Sequence, residues 1–428
     1  MSVQRFAIVM NMFYTGLGIA RSLGEQRIPV IGLSAHRRVY GNFTRYAKVH
    51  FCPDSRNEPE RLLAYLLDLG QRIGSGSIIF PTRDDDVVFL DRFRADLQTY
   101  FTLAIPDRLA VETCLDKWRT YLCAEQARVP QPQCWLITGD EDLRAAAEAA
   151  TFPCVLKPVA AHHWRQGRNW ETVGGRKAIN ISTREELRAE YAAVARADKR
   201  ALLQELVPGG DDCLVIAACY LDRDSNWVAG FNTQKLVQIP EGFGTGCVVQ
   251  SARIPELLER SERLLQTMRF TGIAEVEYKW DAASREYKLI EINPRPWDQH
   301  RLGHSIGVDL IRLAYGELAG LPLAAAQPNP ATYKWIAEDT FFMAVLRMLW
   351  GRERGIGALF RLARGKRIYA IWSAKDPLPF VAYMLSSFLP GLAGSGLRAL
   401  RHACRKTTAS EEEVFKYDKH VERGKSHG

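Results

Sequence analysis

Apolar residues recur along this chain with three spacings, and each spacing predicts a different element. Phe6 to Met10, Ile28 to Leu33 and Ser77 to Phe80 are short continuous apolar runs, the pattern of strands buried on both faces of a parallel sheet. Between the first two lie Gly16-x-Gly18 and a helical stretch to about Gln26, so the N-terminus reads as a βαβ unit. Glu58 to Gln71 carries Leu62, Leu63, Leu66 and Leu67 at helical spacing, as does Ile254 to Met268. Cys213 to Tyr220 and Trp227 to Asn232 read as a hairpin. The clearest alternation runs from Gly272 to Asp298, where Ile273, Ala274, Val276 and Tyr278 alternate with Glu275 and Glu277. A polar turn, Asp281 to Glu286, separates these from Tyr287, Leu289 and Ile290, which lead into Glu291-Ile292-Asn293. Period two places Glu275 with Glu277, and Glu291 with Asn293, and folding the hairpin sets Glu277 opposite Glu291 and Asn293.

At 428 residues the chain has room for two or three domains. With 47% hydrophobic and 25% charged residues it has the composition of an ordinary globular protein. Its nine cysteines are odd in number and form no C-x-x-C pair, which fits buried free thiols in a reducing cytosol and suggests no zinc site. The apolar run at the N-terminus is too short for a signal peptide. The net charge of +8 is unevenly placed. Phe341 to Lys406 holds twelve Lys and Arg against Glu353 and Asp376, which leaves the remainder slightly acidic. The basic excess therefore belongs to one C-terminal region, and no nucleic-acid partner is expected.

Several stretches carry candidate chemistry. Glu291-Ile292-Asn293-Pro294-Arg295 puts carboxylate, amide and guanidinium at the end of one strand, with Glu277 across the hairpin. Hard oxygen donors of this kind suit Mg²⁺, which completes its shell with waters and phosphates; alternating acids on a strand are otherwise a solvated face. Lys157 ends an apolar strand just before Pro158, and a lysine delivered there calls for an anionic partner such as phosphate. Asp84, Asp85 and Asp86 follow Pro81-Thr82-Arg83 at the end of a parallel strand, where they either cap the next helix or, with Thr82 and Arg83, meet a ligand. Gly16-x-Gly18 lacks the third glycine and the acidic residue of a dinucleotide fingerprint, so a tight packing turn is the simpler reading.

The string Glu291 to Arg295 resembles the E-x-N-x-R metal strand of the ATP-grasp superfamily, and the resemblance runs back through the chain. Asp116-Lys117 resembles the start of the ATP-grasp domain, Phe152 to Pro158 its second nucleotide lysine, and Leu202 to Asp212 its adenine hinge. The chain looks most like the carboxylate–amine ligase branch that includes the carbamoyl-phosphate synthase large chain and D-aspartate ligase. The resemblance implies an α/β chain with an N-terminal Rossmann-like domain at 1–112. It implies a two-lobed α+β ATP-grasp unit at 113–200 and 201–328. A basic, helical C-terminal extension follows at 329–428, with Phe341 to Trp350 and Ile356 to Leu362 helical and the end from Glu411 disordered.

The same resemblance implies ATP with Mg²⁺, or Mn²⁺ in its place. Lys117, Lys157 and Lys235 would meet phosphate, and the backbone of Glu205, Leu206 and Val207 the adenine. Asp212 would meet the ribose, and Glu277, Glu291 and Asn293 the metal. Arg295 would be the catalytic cation. Residues 160–177, with His162, His163, Trp164, Arg165, Arg168 and Arg176, would form a basic flap over the phosphates, and Gly242 to Gly246 a glycine-rich turn. Trp297 and His300 are candidate acceptor contacts. The implied activity is ADP-forming: a carboxylate is activated as an acyl phosphate and joined to an amine, both small molecules. The alternatives are phosphoryl transfer without amide formation, and a non-catalytic nucleotide-binding protein recruited to membranes. The location expected is the cytoplasm. The apolar, charge-free run from Pro377 to Leu397 between basic flanks makes residues 341–406 either an interfacial segment on the inner face of a membrane or an appendage packed on the ligase. A homodimer is one option for the assembly.

Overall fold

The computed structural model describes residues 5–160, 163–164, 169–239, 244–322, 326–342 and 364–388. It is a mixed α/β structure built on three sheets. The first is wholly parallel: β1 (Ala7–Met10), β2 (Val30–Ser34), β3 (Lys48–Phe51), β4 (Ser77–Phe80) and β5 (Phe101–Leu103), in the order β3-β2-β1-β4-β5. Each residue of β1, β2 and β4 is buried, as their continuous apolar runs require, because helices cover both faces. The glycines after β1 serve packing. A Cβ on Gly16 would lie 1.9 Å from the Asn11 carbonyl oxygen, and one on Gly18 would lie 2.6 Å from His300 Nε2.

Two helices join this sheet to the rest. Asp107 caps Arg108–Leu115 by accepting from Ala110 N at 2.8 Å, and Asp116 caps Lys117–Gln126 by accepting from Arg119 N at 3.0 Å. Asp116 is extended, so the chain breaks there and Lys117 starts the second helix.

The second sheet is antiparallel: β6 (Cys134–Ile137), β7 (Cys154–Pro158), β8 (Ile179–Ile181) and β9 (Ala201–Glu205), in the order β6-β9-β7-β8. The third contains β10 (Leu214–Leu221), β11 (Trp227–Ile239), β12 (Thr245–Ala252), β13 (Gly272–Asp281), β14 (Glu286–Asn293), β15 (Tyr333–Ile336) and β16 (Lys366–Tyr369). Its order is β14-β13-β10-β11-β12-β15-β16, antiparallel except for the parallel pair β15–β16. Two boundaries thus differ from the expected division at 200 and 328. β9 belongs to the four-stranded sheet, and β15 and β16 extend the seven-stranded one.

One apolar core fuses the first and third sheets. Val9 and Leu17 pack in the same cluster as Phe231, Trp297, Trp335 and Tyr383. The described part of the C-terminal region is accordingly packed on the body. Arg21, 1% exposed, donates to Asp376 at 3.0 Å, and Thr44 Oγ1 donates to the same carboxylate at 2.7 Å. The expected helices at Phe341 to Trp350 and Ile356 to Leu362 lie, apart from Phe341 and Phe342, outside the described residues, as does the chain beyond 388. No helix among the described residues is long and apolar enough to cross a membrane. All eight cysteines that are described are free.

Candidate active site

The hairpin β13–β14 sets the geometry. Its register pairs Glu277 with Glu291 and Glu275 with Asn293, and a bulge follows at Ile290. Cross-strand partners share a face, so the two expected metal carboxylates stand side by side. Asn293 sits one pair further on, opposite Glu275, where its Nδ2 donates to Glu275 Oε2 at 2.9 Å. The Ile290 carbonyl freed by the bulge accepts from Tyr121 Oη at 2.9 Å.

Three lysines converge on these acids from three elements. Lys117, at the start of its helix, is 3.2 Å from Glu291 Oε2. Lys235 on β11 is 2.5 Å from Glu277 Oε2. Lys157, delivered by β7, donates to Gln204 Oε1 at 3.0 Å, and Gln204 Oε1 also accepts from Tyr121. Burial, with Lys117 nearby, pushes Lys157 down to about 8. Lys117 holds the Glu291 carboxyl well below the usual carboxylate range against the effect of burial. Burial opposes the charge of Lys235, but Glu277 outweighs it and raises its pKa. Burial pushes Glu275 up to about 8. Lys117 and Lys235 thus pair with Glu291 and Glu277, while Lys157 bonds an amide and Glu275 bonds Asn293.

Among the described residues no three His, Cys, Asp or Glu form a ready-made metal centre. The donor set still fits Mg²⁺, which is held by one or two carboxylates together with phosphates. Glu277 and Glu291 are paired carboxylates on one face, and Asn293 adds an amide oxygen beside them.

Arg295 lies just past the strand. Its Nε donates to Asp84 Oδ1 at 2.6 Å, Nη1 to the Pro296 carbonyl at 3.2 Å and Nη2 to Asn293 Oδ1 at 3.4 Å. Burial opposes its charge, but Asp84 more than compensates and raises its pKa. Asp84 opens the helix Asp84–Arg92 after β4, so the first sheet supplies the partner of this arginine. Its neighbour Asp86 closes a local network, accepting from Asn11 Nδ2 at 2.9 Å, Ser55 Oγ at 2.7 Å and the backbone of Thr82 and Arg83 at 3.1 Å. The Arg83 guanidinium bonds Asp54 at 2.9 Å within that network.

The remaining expected residues are placed as follows. The Glu205 backbone N–H donates to the Gln133 carbonyl, and its carboxylate pairs with Lys288 at 3.0 Å. Val207 is buried and Leu206 half-buried, while Asp212 is exposed on the turn Asp211–Cys213. In the expected flap, Arg176 makes a two-pronged pair with Glu190 at 3.0 and 2.8 Å, and His163 bonds Asp198 at 2.8 Å. Trp164 is buried in the core of the second sheet. These three side chains face protein partners in place of phosphate; His162, Arg165 and Arg168 lie outside the described residues. The expected glycine turn is in part a strand, because Gly246 belongs to β12, and residues 240–243 lie outside the described residues.

Trp297 and His300, read as acceptor contacts, are packing residues. Trp297 stacks near Phe231 at 6.0 Å, and His300 Nε2 donates to the Thr15 carbonyl at 3.1 Å. Burial pushes His300 down to about 4, so it is neutral at ordinary pH. Sequence reasoning passed over Asp298, which accepts from Thr15 Oγ1 at 2.7 Å, and Asp339, which accepts from Tyr14 Oη. It also passed over Gln204 and Tyr121, for which no local signal exists.

No protein-family model matches the chain. Among curated proteins it is similar to the D-aspartate ligase of Enterococcus faecium, 23% identical over 299 residues, 67% of this chain and 69% of that one. It is also 23% identical over 229 residues to the D-alanine–D-alanine ligase of Pseudomonas entomophila, 49% of this chain and 65% of the relative. The biotin carboxylase of Campylobacter jejuni, solved with an ATP analogue, shares the fold at a TM-score of 0.62 and 16% identity, over 76% of this chain and 74% of that one. In sequence and in fold the chain is similar to ATP-grasp ligases. The N5-carboxyaminoimidazole synthetase of Staphylococcus aureus, at a TM-score of 0.59 and 13% identity, covers 78% of this chain and 82% of its own. Its curated relatives are D-aspartate and D-alanine–D-alanine ligases, and the solved structures show the shared fold.

Proposed function

We infer that this protein activates a carboxylate with Mg·ATP and joins the acyl group to an amine, releasing ADP and phosphate. The observation that carries this reading is the cluster of Lys117, Lys157 and Lys235 against Glu277 and Glu291, with Arg295 at its rim. We propose that the parallel sheet forms the acceptor-side domain, and that the second and third sheets are the two lobes closing on the nucleotide.

The lysines leave their carboxylate partners to take the nucleotide phosphates. That exchange leaves Glu277 and Glu291, with the Asn293 amide oxygen beside them, as the groups that would hold Mg²⁺, which would offset the negative charge of the transferring phosphoryl group. Lys157 stays fixed by Gln204, which Tyr121 holds in turn. The carboxylate substrate lies by Arg295, whose guanidinium neutralises charge on the acyl oxygens as the phosphoryl group arrives and again as the amine attacks. Attack forms the C–N bond, breaks the C–O bond to phosphate and releases a proton from nitrogen. Asp298 lies close enough to raise the pKa of Arg295, and Asp339 neighbours Asp298 in turn. The backbone beside Val207 receives the adenine.

The test is ADP release by the full chain with Mg·ATP and D-aspartate, D-alanine or pooled amino and carboxylic acids, beside Glu291→Ala. Release that needs both an acid and an amine, and falls at least a hundredfold in the variant, is expected. Release that needs an acid alone would identify a phosphotransferase. Nucleotide binding with no turnover under any pool would sink the catalytic reading.

A further inference from the structure

Large apolar side chains at the surface of a folded domain normally scatter singly. Ten are exposed among the described residues of this chain, and six of them gather at one corner: Phe43, Phe342, Trp372, Leu378, Val381 and Leu385. Leu378, Val381 and Leu385 recur at i, i+3 and i+7 along the helix Leu378–Tyr383 and the helical turn Met384–Phe388 that continues it. They therefore form one stripe. The other side of this helix is anchored, with Pro379 and Tyr383 buried and the Tyr383 ring 6.3 Å from Tyr40. Phe43 ends the turn Tyr40–Phe43 on which the helix packs. Trp372 packs against Phe380 at 5.5 Å, and Phe342 against Phe388 at 5.3 Å. The stripe is 56% exposed at Leu378 and 63% at Leu385, so it points outward by construction and not through fraying.

In the two stretches that build this corner the exposed charges have one sign, while the half-buried Glu338 carboxyl accepts from the Ile371 and Trp372 N–H groups. In residues 364–388, Arg364, Lys366, Arg367 and Lys375 are exposed, and the only acid, Asp376, is buried against Arg21. The stretch 35–51, which contributes the turn beneath the helix, adds exposed Arg37, Arg38, Arg45 and Lys48 and contains no Asp or Glu. Beyond the described residues the sequence runs without charge from 389 to 397 and then carries Arg398, Arg401, Arg405 and Lys406. A nucleic-acid surface needs the cations but has no use for a leucine–valine stripe. An aliphatic stripe with a tryptophan, in stretches whose exposed charges are all cations, has the chemistry of an interfacial helix on anionic lipid.

We propose that this corner docks the protein on an anionic lipid surface, with Trp372, Leu378, Val381 and Leu385 entering the headgroup region and the surrounding arginines and lysines meeting lipid phosphate. The attachment is interfacial, since no described helix is long enough to span. Each basic residue at such a surface raises binding about fivefold, and salt screens that part. The proposal is independent of the ligase chemistry.

The test is co-sedimentation of the full chain with phosphatidylcholine vesicles and with vesicles containing about one-third phosphatidylglycerol. At least tenfold stronger binding to the anionic vesicles is expected, weakening as salt is raised. The combined variant Leu378→Asn/Val381→Asn/Leu385→Asn should lose tenfold or more, as should Arg364→Glu/Arg367→Glu/Lys375→Glu. All six side chains are exposed, so both variants should keep the parent's thermal midpoint and nucleotide binding. Failure of the parent to bind anionic vesicles, equal binding to neutral ones, or undiminished binding by both variants overturns the proposal. Binding to polyuridylate without binding to vesicles would also overturn it and assign the corner to nucleic acid.

Discussion

Lys157 and Glu275 titrate in the same window with opposite consequences. Burial lowers the lysine to about 8 and raises the carboxyl to about 8, so both lose a proton as pH rises through that value. Discharging Lys157 removes a cation aimed at phosphate. Charging Glu275 adds an anion beside Asn293 and favours the metal. On the proposed function Lys157 meets phosphate directly while Glu275 acts through its hydrogen bond to Asn293, so kcat/KM for Mg·ATP is expected to fall above about pH 8, approaching tenfold per unit. Lys157→Arg should flatten the fall and Glu275→Gln should steepen it; a profile unaffected by Lys157→Arg would remove the lysine from this role. At this scale the sequence was informative where spacing is short. Period two along two strands was enough to set Glu277 beside Glu291, and an apolar strand ending in Lys-Pro marked Lys157. Gln204 and Tyr121, which hold that lysine, carry no such mark, because a buried amide and phenol look the same in a sequence whether they serve a site or a core.

Elements were legible in proportion to how completely they are buried. β1, β2 and β4 are uninterrupted apolar runs and could be read directly. β3, with the sequence KVHF and no buried residue, could not, nor could β16, with KRIY, because short charged strands at a sheet edge mimic loops. A packed appendage was one of the two expected readings of the C-terminal region, but that blind spot hid how it is attached, through β15, β16 and one buried ion pair. Arg21 has its Nε on Asp376 and its Nη2 on the Ile371 and Asp376 carbonyls at 2.7 and 3.1 Å. Burial lowers the pKa of this arginine despite Asp376, which shows how much the guanidinium depends on its partner. Removing one member of a buried pair strands the other charge, at a cost of about 3–5 kcal/mol. Asp376→Ala is therefore expected to lower unfolding stability by that amount in a denaturant titration. Arg21 is remote from the lysine cluster, so the affinity for Mg·ATP should be unchanged. A loss under about 1 kcal/mol would mean that the strap is held by its apolar contacts alone.

Across the whole molecule, the N-terminal sheet and the metal hairpin meet at the bond between Asp84 and Arg295. These residues are 211 positions apart, too far for any local pattern to relate them, and Asp84 read alone as a helix-capping acid. The structure gives it the Arg295 guanidinium as partner. With Nε on Asp84 and Nη2 near Asn293, the guanidinium plane is fixed relative to the carboxylates that face the nucleotide. Asp84 is thus expected to position Arg295 and to tie the acceptor-side sheet to the chemistry. Asp84→Asn keeps the shape and weakens the charge pairing, so kcat should fall roughly 10- to 100-fold with little change in KM for ATP. Asp84→Glu should recover part of the loss, which a purely structural defect would not allow. Arg295→Ala should cost about 100- to 1000-fold on its own. The deciding measurement is the double variant. If Asp84 works through Arg295, adding Asp84→Asn to Arg295→Ala should cost nothing further, since the group it positions is already gone. Two losses that simply multiply would show that Asp84 acts elsewhere, on the fold of the first sheet or on a substrate it touches itself.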